Sequence, residues 1–294
     1  MKHYRMPCGK FFLDMGQRTL IMGILNITPD SFSDGGRFLE SSDAVDHAEK
    51  MIKEGADIID IGGESSRPFS DPVTVEEEIR RVIPVIDALA DKISVPISID
   101  TTKSEVARKA IEAGASIIND ISALQMDKRM ADVAAECHVP VILMHMKGSP
   151  QTMQEKPYYD DPVKEVKSFL EDSVNDAVKR GIAKERIIVD PGIGFGKTFD
   201  HNLILLKCLK EFESLDIPIL VGASRKAFIR SILKDITGSE DEKDALRIID
   251  AGTQTAVAAS ILNGAHIVRV HDVAGAYLTA RVADAIKIGQ ITSS

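Results

Sequence analysis

Residues Arg186-Ile187-Ile188-Val189-Asp190 run three apolar side chains into a carboxylate, and Pro191-Gly192-Ile193-Gly194-Phe195-Gly196-Lys197 then turns the chain. A short, continuous apolar run bounded by a turn fits a strand buried on both faces. The same phrase recurs outward from here in both directions. Toward the N-terminus, 20–25 stops at Asn26, 57–63 at Glu64, 96–99 at Asp100, 116–118 at Asn119 and 140–144 at His145. Toward the C-terminus, 218–221 leads to Ser224-Arg225-Lys226, and 266–268 to Arg269-Val270-His271. That makes about eight strands, most followed by a helix-period stretch, the count and order of a single α/β (β/α)8 TIM barrel. The C-terminal strand ends of such a barrel converge on one face, so these scattered polar residues become candidates for one pocket.

The bulk numbers agree with that architecture. A chain of 294 residues suits one α/β barrel, and 44% hydrophobic with 28% charged residues is globular composition, not disorder. A net charge of −9 argues against nucleic acid as a partner, because phosphate contacts need basic patches. Any anionic ligand must be met by a few placed Arg and Lys. Cys8, Cys137 and Cys208 are odd in number and widely spaced, with no metal motif and no plausible disulfide set, which fits a reducing cytoplasm. The start, Met1-Lys2-His3-Tyr4, lacks the apolar core of a signal peptide, and no apolar run approaches the roughly 20 residues of a membrane span. The expectation is a cytoplasmic protein with no membrane partner.

Residues 1–18 read as an N-terminal arm or ribbon, with Gly9 and Gly16 flanking 10–15, that could close the barrel floor; 19–294 is one barrel domain. Helices are expected over 43–55, from a capping box at Thr74 and Glu77 to about Ala90, and over 103–114, 128–138, 161–181, 202–215, 244–264 and 273–288. The polar stretch 147–160, with Pro150, Pro157 and two tyrosines, is long enough for a lid or binding loop.

Five constellations could carry chemistry. Asn26-Ile27-Thr28-Pro29-Asp30-Ser31-Phe32-Ser33-Asp34-Gly35-Gly36 is either an Asx-rich turn satisfying its own backbone or a loop closing over a flat ligand. It exceeds the usual strand-to-helix connection of about 2–6 residues. Asn26 offers a neutral oxygen to Mg²⁺, which prefers few protein ligands plus substrate phosphates. Gly62-Gly63-Glu64-Ser65-Ser66-Arg67-Pro68 allows close backbone approach, and Arg67 is either a surface charge or an anion grip. The run 190–198 matches neither the Walker spacing, since Pro191 stands where its first Gly should, nor the dinucleotide fingerprint. It leaves Asp190 at a strand end beside a glycine loop able to hug a planar ligand. Lys226, Arg269 and His271 lie after strands seven and eight, where barrels frequently bind phosphate; Arg269 and His271, two apart on a strand, should face one side. Asp100, Asn119 and Asp190 suit a ring with several N–H donors, although Asp100 could instead cap the following helix.

Taken together these residues resemble the dihydropteroate synthase family. The matching segments are 26–36, 62–68, Ile99-Asp100-Thr101, Asn119-Asp120-Ile121, Met144-His145-Met146-Lys147-Gly148, 190–197, Ser224-Arg225-Lys226 and Arg269-Val270-His271-Asp272, in order over roughly 19–280. The resemblance implies a pterin-binding TIM barrel. In it, 4-aminobenzoate displaces pyrophosphate from 6-hydroxymethyl-7,8-dihydropterin pyrophosphate, with Mg²⁺ required. It implies that Asp100, Asn119, Met144, Asp190 and Lys226 bind the pterin, and that Ser66, Arg67, Phe195 and Lys226 bind aminobenzoate. Asn26, Ser66, Arg67, Arg269, Val270 and His271 would hold pyrophosphate, with Asn26 on the metal. Phe32, Asp34, Arg67 and Lys226 would complete the catalytic set. Three departures stand out: Ser66 for the more usual Thr, Phe69 where Gly is common, and Ala227 where a polar residue often follows Lys226. The last removes one expected carboxylate contact for aminobenzoate, and Phe69 bears on the loop's mobility toward aminobenzoate or its sulfonamide mimics.

Two rivals remain open at this point. A methyltetrahydrofolate-type methyltransferase shares the pterin-reading strand ends but has no need of 26–36 or of the Lys226, Arg269 and His271 cations. A non-catalytic pterin-binding paralogue would be expected to lose those same groups. The resemblance also implies a homodimer packed through helices late in the chain.

Overall fold

The computed structural model describes residues 2–27, 37–65, 71–238 and 241–289, with the side chains of 37–41 outside that set. Eight parallel strands form one sheet: β3 (Leu20–Asn26), β4 (Ile58–Gly62), β5 (Ile97–Asp100), β6 (Ile117–Asp120), β7 (Val141–Met144), β8 (Ile187–Asp190), β9 (Leu220–Val221) and β10 (Ile267–Val270). Their order is β8-β7-β6-β5-β4-β3-β10-β9. A parallel bridge between Val189 and Ile219 joins the two ends and closes the barrel. The strands are nearly continuous Ile, Val and Leu because both faces are covered, the outer by helices and the inner by neighbouring strands.

Ahead of the barrel, β1 (Tyr4–Cys8) and β2 (Phe11–Met15) pair antiparallel across a tight turn in which Gly9 takes φ +58°, a conformation glycine adopts without penalty. Met6, Cys8, Leu13 and Met15 pack directly on Leu20, Met22, Ile58, Ile117, Ile142, Ile188, Leu220 and Ile267, the inward side chains at the N-terminal ends of the strands. Each such large side chain contributes roughly 1.5–3 kcal/mol on burial. A second, larger core lies between the strands and the helices.

The helices are α1 (Arg37–Lys53), α2 (Val75–Ala90), α3 (Ser104–Glu112), α4 (Met130–Cys137), α5 (Pro162–Lys179), α6 (Phe199–Lys207), α7 (Ala227–Thr237), α8 (Glu242–Leu262) and α9 (Val273–Ile288). Thr74 Oγ1 caps α2 by accepting from the Glu77 amide at 3.3 Å, while the Glu77 carboxylate binds Arg80 and Arg81. The single helix expected over 202–215 is two pieces. Thr198 and His201 form a full capping box that starts α6 at Phe199, and the chain tightens to a 3₁₀ segment over Leu209–Leu215. The helix α7 lies in a stretch where no helix is expected from the sequence; it buries Phe228 and Ile229, packs Leu233 partly buried on the core and leaves Ile232 and Ile236 exposed.

Candidate active site

Strand register sets the site's geometry. Asn26 pairs with Gly62, Gly62 with Asp100, and Asp100 with Asn119, so these four stand in one row across β3 to β6. Met144 and Asp190 form the equivalent pair on β7 and β8. A Cβ on Gly62 would stand 3.5 Å from Asp100 Cβ and 3.8 Å from Asn26 Oδ1, so glycine keeps open the space between those two side chains.

From the far side of the row, Arg269 on β10 reaches across β3. Its Nε donates to Asp60 Oδ2 and its Nη2 to Asp100 Oδ2, both at 2.6 Å. Asp60 Oδ2 also accepts from Asn119 Nδ2 at 3.1 Å. Burial opposes the charge on Arg269, but Asp60 and Asp100 outweigh it and raise its pKa above the ordinary value. Asp100 is pushed up to about 7, first by burial, with Arg269 pulling it down and Asp60, Glu78 and Asp120 pushing it up. The capping alternative for Asp100 does not hold: its carboxylate is on Arg269, and α3 has no side-chain N-cap.

Asp190 is buried, and its Oδ1 accepts the Gly192 amide at 2.7 Å. Burial raises it to about 6 despite that bond and the cations Lys226, Lys197 and Arg269. Lys226 Nζ lies 3.8 Å from the centroid of the Phe195 ring, a cation–π arrangement. Burial first, then Arg269, lowers Lys226 to about 8, with Asp190 and Asp100 opposing. Phe195 also packs with Ile121, Met144 and Met153, giving an apolar wall beside the charged groups. Arg225 stands between two site residues but points away, with its guanidinium on Asp250 at 2.7 and 2.9 Å. Its φ of +57° is left-handed, a strained turn anchored by the Thr253 hydroxyl on its amide. His271 Nδ1 lies 2.9 Å from Ser224 Oγ. Strand β10 ends at Val270, so the strand alternation invoked for Arg269 and His271 stops short of the histidine; the two side chains have different partners.

Two polar strand ends support the pocket instead of lining it. Lys103 bridges the Glu64 carboxylate to the buried Glu78, and Glu64 also accepts the Val73 amide at 3.0 Å. His145 is buried against Phe169, with ring centroids 4.7 Å apart, and meets Lys197 Nζ through Nδ1 at 2.8 Å. The loop over 191–197 is held from several sides: Asn202 Oδ1 accepts the Gly194 amide, Gln154 donates to Gly194 O, and Tyr159 donates to Gly196 O. The 147–160 stretch therefore acts as a wall packed on this loop, with Met153 and Tyr159 buried.

Asp60 and Lys197 were missed from sequence. Asp60 interrupts an otherwise apolar strand, Ile58-Ile59-Asp60-Ile61, and that interruption was the available signal. Phe32, Asp34, Ser66, Arg67 and Phe69 lie outside the described residues. Ala227 is exposed at the first position of α7. Among the described residues, no three His, Cys, Asp or Glu side chains cluster as a metal centre, and no helix is long and apolar enough to cross a membrane.

A closed barrel whose strand ends present carboxylates and an amide beside an apolar wall and two cations is built for a flat, donor-rich ring carrying an anionic group. A family described as pterin binding enzymes matches residues 22–271. Dihydropteroate synthase of Synechocystis is 46% identical over 96% of this chain and 94% of its own length. That of Escherichia coli K12 is 48% identical over 90% of each. The solved structure of the Xanthomonas albilineans dihydropteroate synthase with 4-aminobenzoic acid superposes with a TM-score of 0.87 at 42% identity, covering 97% of this chain and 99% of that one. The same enzyme with 7,8-dihydropteroate gives 0.83 at 41%, covering 96% and 98%. The chain belongs to the pterin-binding enzyme family, and its activity is that of a dihydropteroate synthase.

Proposed function

We propose that this site joins 6-hydroxymethyl-7,8-dihydropterin pyrophosphate to 4-aminobenzoate, with Asp100, Asn119 and Asp190 reading the pterin edge. The observation that carries the reading is the row of Asp100 and Asn119 held by Asp60 and Arg269, with Asp190 and Lys226 facing it. Asp100 accepts from Arg269, Asp190 accepts from the Gly192 amide and Asn119 donates to Asp60, which leaves oxygen lone pairs on all three for ring N–H groups. In so buried a site an analogue lacking one donor leaves a polar group unpaired, and that is the source of selectivity. Met144 and Phe195 cover the ring faces.

The reaction breaks the bond between the pterin methylene carbon and the leaving oxygen, whose electron pair departs with pyrophosphate. The electron-rich pterin delocalises the positive charge left on carbon. The aminobenzoate nitrogen then bonds to that carbon and releases a proton. Lys226, His271 and the backbone at Val270 receive the leaving group. Arg269 contributes less charge than its position suggests, since Asp60 and Asp100 already neutralise it. The dry wall of Met144 and Phe195 keeps water from the carbon before the amine arrives. Phe32, Asp34, Ser66 and Arg67 complete the aminobenzoate side in this reading.

Mg²⁺ fits the donor set: Asn26 supplies a neutral oxygen into the space Gly62 leaves open, the sparse protein ligation Mg²⁺ accepts when phosphates and water fill the rest. Held there by Asn26, it would neutralise charge on the departing pyrophosphate. A homodimer is supported by apolar side chains left exposed at four-residue spacing, Ile232 and Ile236 on α7 and Leu278, Val282 and Ile286 on α9. A cytoplasmic setting is part of the same reading.

The test is pyrophosphate release by the purified protein given the dihydropterin pyrophosphate, aminobenzoate and Mg²⁺, with each omitted in turn. Release that requires aminobenzoate and yields dihydropteroate supports the reading. Pterin binding without turnover would favour the non-catalytic paralogue, and methyl transfer from methyltetrahydrofolate the other rival.

A further inference from the structure

We infer that Asp60 is a positioning residue that fixes the polarity of the pterin-reading edge, by holding the Asn119 amide in one orientation and the Arg269 fork against Asp100. The inference rests on the proposed pterin role of Asn119 and Asp100.

Asp60 is fully buried in the middle of β4, two residues before Gly62 and so on the same face of the strand. One of its oxygens does all the work. Oδ2 accepts from Asn119 Nδ2 at 3.1 Å and from Arg269 Nε at 2.6 Å. The other, Oδ1, is buried with no hydrogen-bond partner among the described residues. A carboxylate cannot donate, so the group facing it on Asn119 must be the NH₂. Asn119 Oδ1 is thereby turned away from Asp60 and offered as an acceptor. Without Asp60 the amide could flip by 180° at little steric cost, and half of its orientations would present a donor to a ring edge that itself donates.

The second constraint runs through Arg269. Its planar fork binds Asp60 and Asp100 with two different nitrogens, so the position of the guanidinium ties the two carboxylates together. Asp100 is in this way held at one side by a group that Asp60 orients. Asp60 lies beneath the strand-end row and acts on the ring only through Asn119 and Arg269.

Six proteins test this: wild type, Asp60→Asn and Asp60→Leu, each with and without Asn119→Ala. The readouts are dihydropterin pyrophosphate affinity by calorimetry and the separate KM values for the two substrates. Asp60→Asn can still present one oxygen to both donors and serves as the conservative variant if Asp60→Leu does not fold. Asp60→Leu is expected to weaken pterin binding by at least about tenfold, since a site built on hydrogen bonds is penalised when they are misaligned. The KM for aminobenzoate should stay unchanged, and Asp60→Asn should recover part of the loss. In the Asn119→Ala background the effect of changing Asp60 should shrink by about fivefold or more, because residues that act through one another are not additive. Equal effects in both backgrounds, or equal rises in both KM values, would overturn the inference. If wild type binds no pterin, the reading of the site fails, an outcome separate from additivity in a protein that does bind.

Discussion

Lys197 sets its Nζ 2.8 Å from His145 Nδ1, joining two buried bases across the ends of β7 and β8. The same Nζ reaches His145 O at 3.3 Å and Phe195 O at 3.0 Å, so each of an ammonium's three N–H groups has an acceptor. Burial nevertheless drives the Lys197 pKa well below its ordinary value, against the pull of Asp190. Lys197→Met keeps the length of the side chain and removes these bonds. The fold should lose about 1–3 kcal/mol, since buried acceptors on His145 and Phe195 are left without their donor. Pterin affinity should fall about tenfold, roughly 1.4 kcal/mol, as Phe195 loses its anchor. Calorimetry beside a urea unfolding curve separates the two; unchanged affinity would count against the anchoring role.

Lys226 Nζ sits over the Phe195 ring and, in the proposed reading, meets the leaving group. Lys226→Ala should lower kcat/KM by about 10²–10³, the usual loss when a charge-stabilising donor is removed. Lys226→Arg should not restore it, because Gly194 and the Phe195 ring leave room for a linear chain and not for a planar fork. Rates of pyrophosphate release for the two variants decide the point.

Gly194 carries φ +85°, and a Cβ there would meet Lys226 Cδ at 2.8 Å. Gly194→Ala should therefore cost about 1–3 kcal/mol of stability and displace Lys226. Combined with Lys226→Ala, the steric part should vanish and only the backbone part remain. Thermal unfolding of the single and double variants measures this; identical losses in both backgrounds would remove the steric claim.

The acid and base limbs of the pH profile have assigned sources. A carboxylate accepts ring N–H bonds best when ionised, so activity should rise as pH passes the raised values of Asp190, about 6, and Asp100, about 7. Lys226 is useful when charged, so activity should fall above its lowered value of about 8. The expected kcat/KM profile is a bell, since that ratio reports the free enzyme. In Asp190→Asn the acid limb should lose its lower component; a flat profile between about pH 5 and about pH 9 would contradict the assignment.

The exposed stripes on α7 and α9 predict self-association. Sedimentation velocity should give twice the mass of one chain, and Val282→Glu together with Ile286→Glu should give single chains. A monomer in the unaltered protein would show the stripes serve another purpose.

The barrel was legible because a strand buried on both faces leaves little choice of residue, so Ile187-Ile188-Val189 announces itself and the polar residue that ends it marks the pocket. Asp100, Asn119 and Asp190 were found by that rule, and the structure sets Asp100 and Asn119 side by side on adjacent strands. The rule also flagged Glu64 and His145, whose side chains brace the pocket; strand position alone does not reveal which way a partner will pull a side chain. Asp60 escaped because it sits before the strand end, and its meaning depends on Arg269, 209 residues away. Lys197 escaped because the glycine pattern around it drew comparison with phosphate loops, whereas its Nζ serves the loop's own carbonyls. The helix α7 was overlooked because its apolar side chains do not all face inward, which is the surface exposure now read as an interface.

The N-terminal hairpin has a bearing on the order of events. With Met6, Cys8, Leu13 and Met15 seated on the inner strand ends, the barrel is a cup and not a tube. Among the described residues the barrel's open end is then the rim where Asn26, Asp100 and Asp190 stand. A ligand lodged among Asp100, Asn119 and Asp190 must arrive before anything that sits nearer the rim and depart after it. On the proposed assignment of the pterin to Asp100, Asn119 and Asp190, a sealed base thus imposes a queue: pterin in first, aminobenzoate behind it, and the joined product out last by the same rim.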